Sequence, residues 1–71
     1  MFVSKDDSIV NLAHVSAIML NGNKIEFYGE PQNEEADLDD LPLIESYIYK
    51  TEEQAIEAYE KIKAFTRTLE I

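Results

Sequence analysis

The C-terminal third of the chain, residues 51–69, carries the one segment with an unambiguous helical period. Apolar side chains recur there every three or four positions, the spacing that aligns them on one face of a helix. They are Ala55, Ala58, Tyr59, Ile62, Phe65 and Leu69. The opposite side is charged. A helix with one apolar face buries that face against another element. The sequence therefore predicts a helix that covers a sheet formed by the preceding residues.

The start of this helix is marked by a capping box. The side chain of Thr51 can accept a hydrogen bond from the backbone N–H of Gln54, and the Gln54 side chain can reach back to the start of the helix. Glu57 and Lys61 add an attractive pair one turn apart. These features predict that the helix begins at residue 51 or just after it.

An Asn-Gly turn predicts a β-hairpin in the middle of the N-terminal half. The run Asn21-Gly22-Asn23 separates two apolar stretches, which is the strongest short-range hairpin signal. Either two-residue loop, Asn21-Gly22 or Gly22-Asn23, segregates the side chains into two faces, whereas a three-residue loop would mix them. The predicted inner face carries Ile18, Leu20, Ile25 and Phe27. The other face carries Ala17, Met19, Lys24, Glu26 and Tyr28.

Further strands are predicted at residues 2–4, 9–12 and 43–50, with a bend near His14. The predicted fold is α+β, a single domain over residues 1–71. An antiparallel β-meander of four or five strands packs against the C-terminal helix through its inner face. The last strand is apolar on both sides. Ile44 and Ile48 share one of its faces, and Leu43, Tyr47 and Tyr49 share the other, so the sequence leaves its orientation open.

Acidic residues are concentrated in the middle of the chain. The net charge is −9, yet residues 26–60 alone carry −11, and the loop predicted at about 29–42 holds six acids. Such a surface repels nucleic-acid phosphates and anionic membranes, so we expect direct binding to neither, and it favours a basic partner. No apolar run approaches the roughly 18 residues of a membrane span. With no cysteine in the chain, we expect a cytoplasmic location.

Groups for catalysis or metal binding are scarce. His14 is the only histidine, and Ser16 is the only hydroxyl near it in sequence, so a small hydrolytic enzyme using His14 is a weakly supported alternative. The acids Asp37, Asp39 and Asp40 do not fit an EF-hand, because Pro42 falls where the loop needs glycine. The sequence therefore predicts no enzyme, no metal site and no cofactor.

The main functional hypothesis is a small acidic module that binds another protein or itself. A small sheet that is apolar on both faces needs a second cover, and tyrosine and methionine are enriched at interfaces. A homodimer through a strand edge or the tyrosine-bearing face is also predicted, because an open meander leaves its edges unpaired. The candidate partner-binding residues are Met19, Tyr28, Tyr47, Tyr49 and the loop acids Glu34, Glu35, Asp37, Asp39 and Asp40.

A second hypothesis is nucleic-acid mimicry, in which the protein occupies the groove of a basic nucleic-acid-binding protein. Duplex DNA presents one charge per roughly 1.7 Å of axis, and a competitor needs carboxylates at comparable density. The loop acids supply part of that density, and the stripe could continue through Glu45, Glu52, Glu53, Glu57 and Glu60. In composition the chain resembles small acidic inhibitors that phages direct against host nucleases.

Several structural signals follow one another along the chain: Asn11-Leu12, Val15, Ile18, Ile25 after the Asn-Gly turn, and Thr51-Glu52-Glu53-Gln54-Ala55. This order of signals resembles that of short bacterial and phage proteins of unknown function. Some of those resemble a reduced pleckstrin-homology-like arrangement, a bent antiparallel sheet capped by one helix. The resemblance covers nearly the whole chain except the acidic insert at 30–40. It implies a fold and supplies no catalytic residue.

Overall fold

The computed structural model describes residues 1–30 and 41–66, which form five β-strands, one 3-10 turn and one α-helix. In chain order these are β1 (Phe2–Lys5), β2 (Ser8–Asn11), the 3-10 turn (Leu12–His14), β3 (Ala17–Asn21), β4 (Lys24–Tyr28), β5 (Leu43–Ile48) and α1 (Glu52–Thr66). The predicted α+β class, with antiparallel strands and a C-terminal helix, is confirmed. The acids Glu34, Glu35, Asp37, Asp39 and Asp40, and the predicted helical residue Leu69, lie outside the described residues.

The strands form two separate antiparallel sheets. β1 and β2 form a two-stranded ribbon closed by Asp6 and Asp7, and Asp6 has a positive φ of 54°. Aspartate tolerates this left-handed conformation better than most residues because its short side chain can hydrogen-bond locally. The bend predicted near His14 follows as the 3-10 turn, which separates the ribbon from the second sheet. The Asn11 side chain caps this turn by accepting a hydrogen bond from the backbone N–H of Ala13 at 3.0 Å.

The second sheet has the order β3-β4-β5, and its first hairpin is the one that the sequence predicts. Asn21 pairs with Lys24, which leaves Gly22 and Asn23 as the two-residue loop. Gly22 has a φ of +62°, a conformation that glycine adopts without steric cost. Leu20 then lies opposite Ile25, and Ile18 opposite Phe27, on one face. The two predicted faces are therefore confirmed, and of the two possible loops the chain adopts Gly22-Asn23.

The core lies between the ribbon, the inner face of the three-stranded sheet and α1. Ile25 and Phe27 on the central strand are completely buried, and Val10 from the ribbon joins them. The Tyr47 ring meets the Phe27 ring edge-on, with centroids 5.0 Å apart. Such an aromatic pair adds about 0.5–1.5 kcal/mol beyond the area that it buries.

The helix is capped much as the sequence predicts. The backbone N–H of Gln54 donates to the Thr51 hydroxyl at 3.2 Å, and the Gln54 side chain accepts from the backbone N–H of Lys50 at 3.2 Å. The return hydrogen bond thus reaches one residue further back than a standard capping box. Lys61 Nζ lies 3.6 Å from Glu57 Oε1, so the predicted pair is also confirmed.

Phe65, one residue of the predicted apolar helix face, is not buried. Ala55 is fully buried and Tyr59 and Ile62 are partly buried, but Phe65 is 70% exposed. At 3.6 residues per turn, Phe65 is rotated about 80° around the helix axis from the buried Ala55. Phe65 therefore lies at the edge of the face that packs on the sheet, and the expectation that it is buried is wrong.

Candidate partner-binding surface

The face of the β3-β4-β5 sheet that points away from α1 is here called the outer face. Its side chains form three cross-strand rows. One row is Ala17, Tyr28 and Leu43, the middle row is Met19, Glu26 and Ser46, and the third is Asn21, Lys24 and Ile48. The rows span about 14 Å along the strands and the three strands span about 10 Å. One helix of a partner, about 10 Å wide, would cover the whole face.

Large apolar side chains are exposed on this side of the sheet. Met19 is 47% exposed, Leu43 53% and Ile48 60%. In the part of the chain that the structure describes, α1 packs on the inner face, and these three outer-face side chains stay open to solvent. Met19, Tyr28, Leu43 and Ile48 are together called the outer patch.

The register of β5 determines which of its residues reach the outer patch. Tyr47 lies opposite the buried Ile25, and Ile48 lies opposite Lys24 and therefore faces out. Between the pairs formed by Phe27 and Tyr28 the ladder shifts by one residue, and Ile44 is the extra residue. This bulge lets Leu43 join the outer face although it has the same parity as Tyr47.

Gly29 allows the chain to pass close beside this bulge. The residue is buried, and its N–H donates to the Pro42 carbonyl at 2.7 Å. A Cβ at this position would lie 3.2 Å from Ile44 Cδ1, closer than ordinary packing allows. The absence of a side chain therefore helps to set the position of Ile44.

The four candidate partner-binding residues outside the acidic loop lie in different parts of the structure. Met19 and Tyr28 lie on the outer face, as predicted, with Tyr28 half-buried. Tyr47 is only 4% exposed and belongs to the core, so its assignment as a partner-binding residue is wrong. Tyr49 is half-buried and packs against that core. Neither alternative for β5 holds as a whole: Ile48 and Leu43 lie on the outer face, Tyr47 lies on the inner face, and Ile44 is the unpaired residue of the bulge.

Tyr47 is instead part of a polar connection that fastens the ribbon to β5. Its hydroxyl lies 3.1 Å from the Ser8 carbonyl and 3.4 Å from the Val3 carbonyl, both acceptors. The Ser8 hydroxyl donates to Glu45 Oε2 at 2.9 Å, and the backbone N–H of Ser46 donates to Glu45 Oε1 at 3.0 Å. These hydrogen bonds give Tyr47 and Glu45 structural roles.

The surroundings of Tyr49 disfavour the charged form of its phenol. Burial raises the pKa of the Tyr49 phenol, and the nearby Lys5 partly opposes that increase. The Lys5 ammonium lies 5.2 Å from the centre of the Tyr49 ring, within cation–π range. The Asn23 side chain also donates to the Tyr49 carbonyl at 2.7 Å, which ties the hairpin loop to the residue after β5.

Residues with catalytic or metal-binding chemistry do not converge in the described ranges. His14 closes the 3-10 turn and is exposed, and Ser16 is exposed just before β3. Within residues 1–30 and 41–66, no three His, Cys, Asp or Glu side chains are grouped so that they could hold a metal ion. Nor does any helix in those ranges have the length and apolar character needed to cross a membrane.

Comparison of the chain with protein-family models, curated proteins and solved structures finds no match. The resemblance to short bacterial and phage proteins stays a prediction. The function is therefore inferred from the surface of this chain.

Leu43 and Ile48 are the outer-patch residues that the sequence does not identify as binding residues. Ile48 belongs to one of the two alternatives for β5, but the bulge that brings Leu43 to the same side leaves no signal in an alternation pattern. One clue is present in the sequence. Ile25 belongs to the predicted inner face, and an aromatic cross-strand neighbour suits such a site.

Proposed function

We propose that this chain is a protein-interaction module that binds a partner through the outer patch. The observation that carries the proposal is the exposure of Met19, Leu43 and Ile48 on the face opposite the helix. Scattered exposed apolar residues are normal on any protein. Here three large exposed apolar residues share one sheet face of about 14 by 10 Å, with Lys24, Glu26 and Ser46 between them. That grouping on one small face supports a binding role.

The charges of the chain indicate what kind of partner fits. Lys24 and Glu26 lie on the outer face between the apolar edge strands, so the face itself carries both signs. The whole chain carries −9. A partner with an apolar contact surface and basic residues around it would be attracted before contact and would bind faster at low salt.

Ile48→Lys is expected to abolish partner capture while leaving the fold intact. Ile48 is 60% exposed, so a lysine there costs little stability but places a charge in the contact surface. Tagged wild-type protein and variants would be used to capture proteins from extracts of the native cells, with bound proteins quantified by mass spectrometry. Phe65→Lys is the matched control, since Phe65 is also exposed but lies on α1.

The expected result is a protein retained by wild type and by Phe65→Lys and lost with Ile48→Lys. Equal retention by all three forms would contradict binding through the outer patch. Loss with Phe65→Lys alone would place the binding surface on the helix instead.

Nucleic-acid mimicry is a second candidate function, and exposed acids on α1 favour it. Glu53, Glu57 and Glu60 are exposed and follow one another along one side of the helix. Their axial spacing is about 4.5–6 Å, whereas one DNA strand places a phosphate about every 3.4 Å. Lys61 also lies beside Glu57. The helix alone therefore falls short of DNA charge density, which makes mimicry the weaker of the two proposals.

Mimicry predicts that a captured partner is released when these acids are neutralised. Replacing Glu53, Glu57 and Glu60 together by glutamine should weaken binding at least about tenfold at low salt, because each lost ionic contact reduces the electrostatic attraction. Titration of the partner at two salt concentrations would measure this. Unchanged affinity for the triple variant at both concentrations would contradict mimicry through α1 and leave the outer-patch proposal standing.

A further inference from the structure

We propose that the free edge of β3 pairs with the same edge of a second copy, antiparallel and centred on Met19. β3 is a terminal strand of its sheet, and in residues 1–30 and 41–66 no other strand pairs with its outer edge. The proposal concerns the backbone edge of the sheet, and it stands or falls separately from the partner-binding role of the outer patch.

The hairpin register determines which backbone groups lie along this edge. Asn21 and Lys24 close the two-residue turn and are therefore a hydrogen-bonded pair, and alternate residues of β3 repeat that arrangement. The intervening residues Ile18 and Leu20 direct their N–H and C=O groups away from β4. The edge thus presents two donors and two acceptors to an incoming strand.

A two-fold axis at Met19 gives each of these four backbone groups a hydrogen-bond partner in the other copy. With Met19 opposite Met19 of the second copy, Ile18 lies opposite Leu20 of that copy, and Leu20 opposite its Ile18. Both are hydrogen-bonding pairs, and Ala17 meets Asn21 at each end. All five residues of the strand are then paired, and the contact closes on itself as an isologous dimer requires.

The charge distribution favours a second copy at this edge. Two copies of a chain with a net charge of −9 repel each other, so their contact must lie where charge is absent. Residues 8–23 contain no Asp, Glu, Lys or Arg, and β3 lies within that uncharged stretch. Monomeric proteins commonly protect edge strands with charges or proline. β3 has neither.

An apolar groove beside β3 would receive a side chain of the second copy. The groove is about 360 Å³ and lies between the C-terminal half of α1 and the start of β3. Its walls include Val15, Ile18, Tyr59 and Ile62. In the proposed register Leu20 of the second copy lies opposite Ile18 on the inner face, which brings an apolar side chain alongside this groove. Pairing would therefore bury apolar area in addition to forming hydrogen bonds.

A single introduced cysteine tests both the dimer and its register. The chain has no cysteine, so Met19→Cys gives one thiol per copy. Directly opposed residues of a non-hydrogen-bonded antiparallel pair have Cα atoms about 4.5 Å apart, within disulfide range. Ile48→Cys is the control: its thiols would be five strand spacings apart, about 24 Å, on the outer strands of the joined sheet.

The expected result is rapid oxidation of Met19→Cys to a covalent dimer and much slower oxidation of Ile48→Cys. Sedimentation equilibrium of the wild-type chain at high micromolar concentration should show a species of twice 8.2 kDa. Met19→Lys should raise the dimer dissociation constant at least about tenfold, because like charges would face each other across the axis. Its circular dichroism should stay unchanged.

Sedimentation that shows only an 8.2 kDa species would overturn the proposal. So would a dimer that cross-links through Ile48→Cys and not through Met19→Cys, since the copies would then meet through another surface. A chain that stays monomeric but still loses its captured protein with Ile48→Lys refutes the dimer alone, and the proposed partner-binding function survives.

Discussion

Phe27→Ala is expected to lower the free energy of unfolding by about 3–5 kcal/mol. Phe27 is completely buried on the central strand, between Ile18 on β3 and Glu45 on β5, and it stacks edge-on against Tyr47. Alanine removes the ring and leaves a cavity, and the fixed register of the flanking strands limits how far the core can collapse into it. At roughly 0.05–0.15 kcal/mol per residue, a domain of this length has only about 4–11 kcal/mol of stability. The variant should therefore lose a large part of the stability of the domain.

Phe65→Ala provides the matched control for this prediction. The chemical change is the same, but Phe65 is 70% exposed on the last turn of α1, so the expected cost is below about 0.5 kcal/mol. Urea unfolding followed by circular dichroism would compare both variants with wild type. Similar unfolding midpoints for the two variants would mean that the helix and sheet faces have been assigned incorrectly.

Ala55→Leu is expected to destabilise the protein by about 1–3 kcal/mol, although leucine suits helices almost as well as alanine. Ala55 has no exposed surface, and it lies in the first turns of α1, the helix that packs on β4 and β3. Three additional heavy atoms have no space there unless the helix moves away from the sheet. The same urea series measures this effect, with Ala64→Leu as control at an exposed position of the helix.

The two alanine-to-leucine variants distinguish the effect of packing on stability from the effect of helix propensity. If propensity governed the result, Ala55→Leu and Ala64→Leu would shift the unfolding midpoint equally. The structure predicts a loss at position 55 and little change at position 64. A stable Ala55→Leu variant with an unchanged midpoint would contradict the close approach of α1 to the sheet.

Local sequence signals were sufficient for the two faces of the first hairpin and for the start of the helix. The Asn-Gly turn admits only two-residue loops if the apolar side chains are to share a face. Both possible loops give the observed faces, but only the Gly22-Asn23 loop gives the observed pairing of Leu20 with Ile25. The helix start depends on Thr51 and Gln54, whose cap forms within one turn of chain. In each case the residues that determine the structure are neighbours in sequence.

The orientation of β5 could not be deduced in the same way. Its residues are apolar at both parities, and hydropathy alone would favour Ile48 over Tyr47 as the core residue. The choice is made by contacts distant in sequence: Tyr47 reaches the Ser8 carbonyl in the ribbon and the Phe27 ring on β4. The exposure of Phe65 has a similar cause, because a helical period does not reveal how far around the helix the contact with the sheet extends.

The central claim, that the outer patch is the binding surface, is tested most directly by hydroxyl-radical footprinting of the protein alone and with its captured partner. In the free protein the side chains of Leu43, Ile48 and Phe65 are all exposed and should be labelled. In the complex, labelling of Leu43 and Ile48 should fall several-fold while that of Phe65 stays unchanged. Protection of Phe65 with undiminished labelling of Leu43 and Ile48 would contradict the claim.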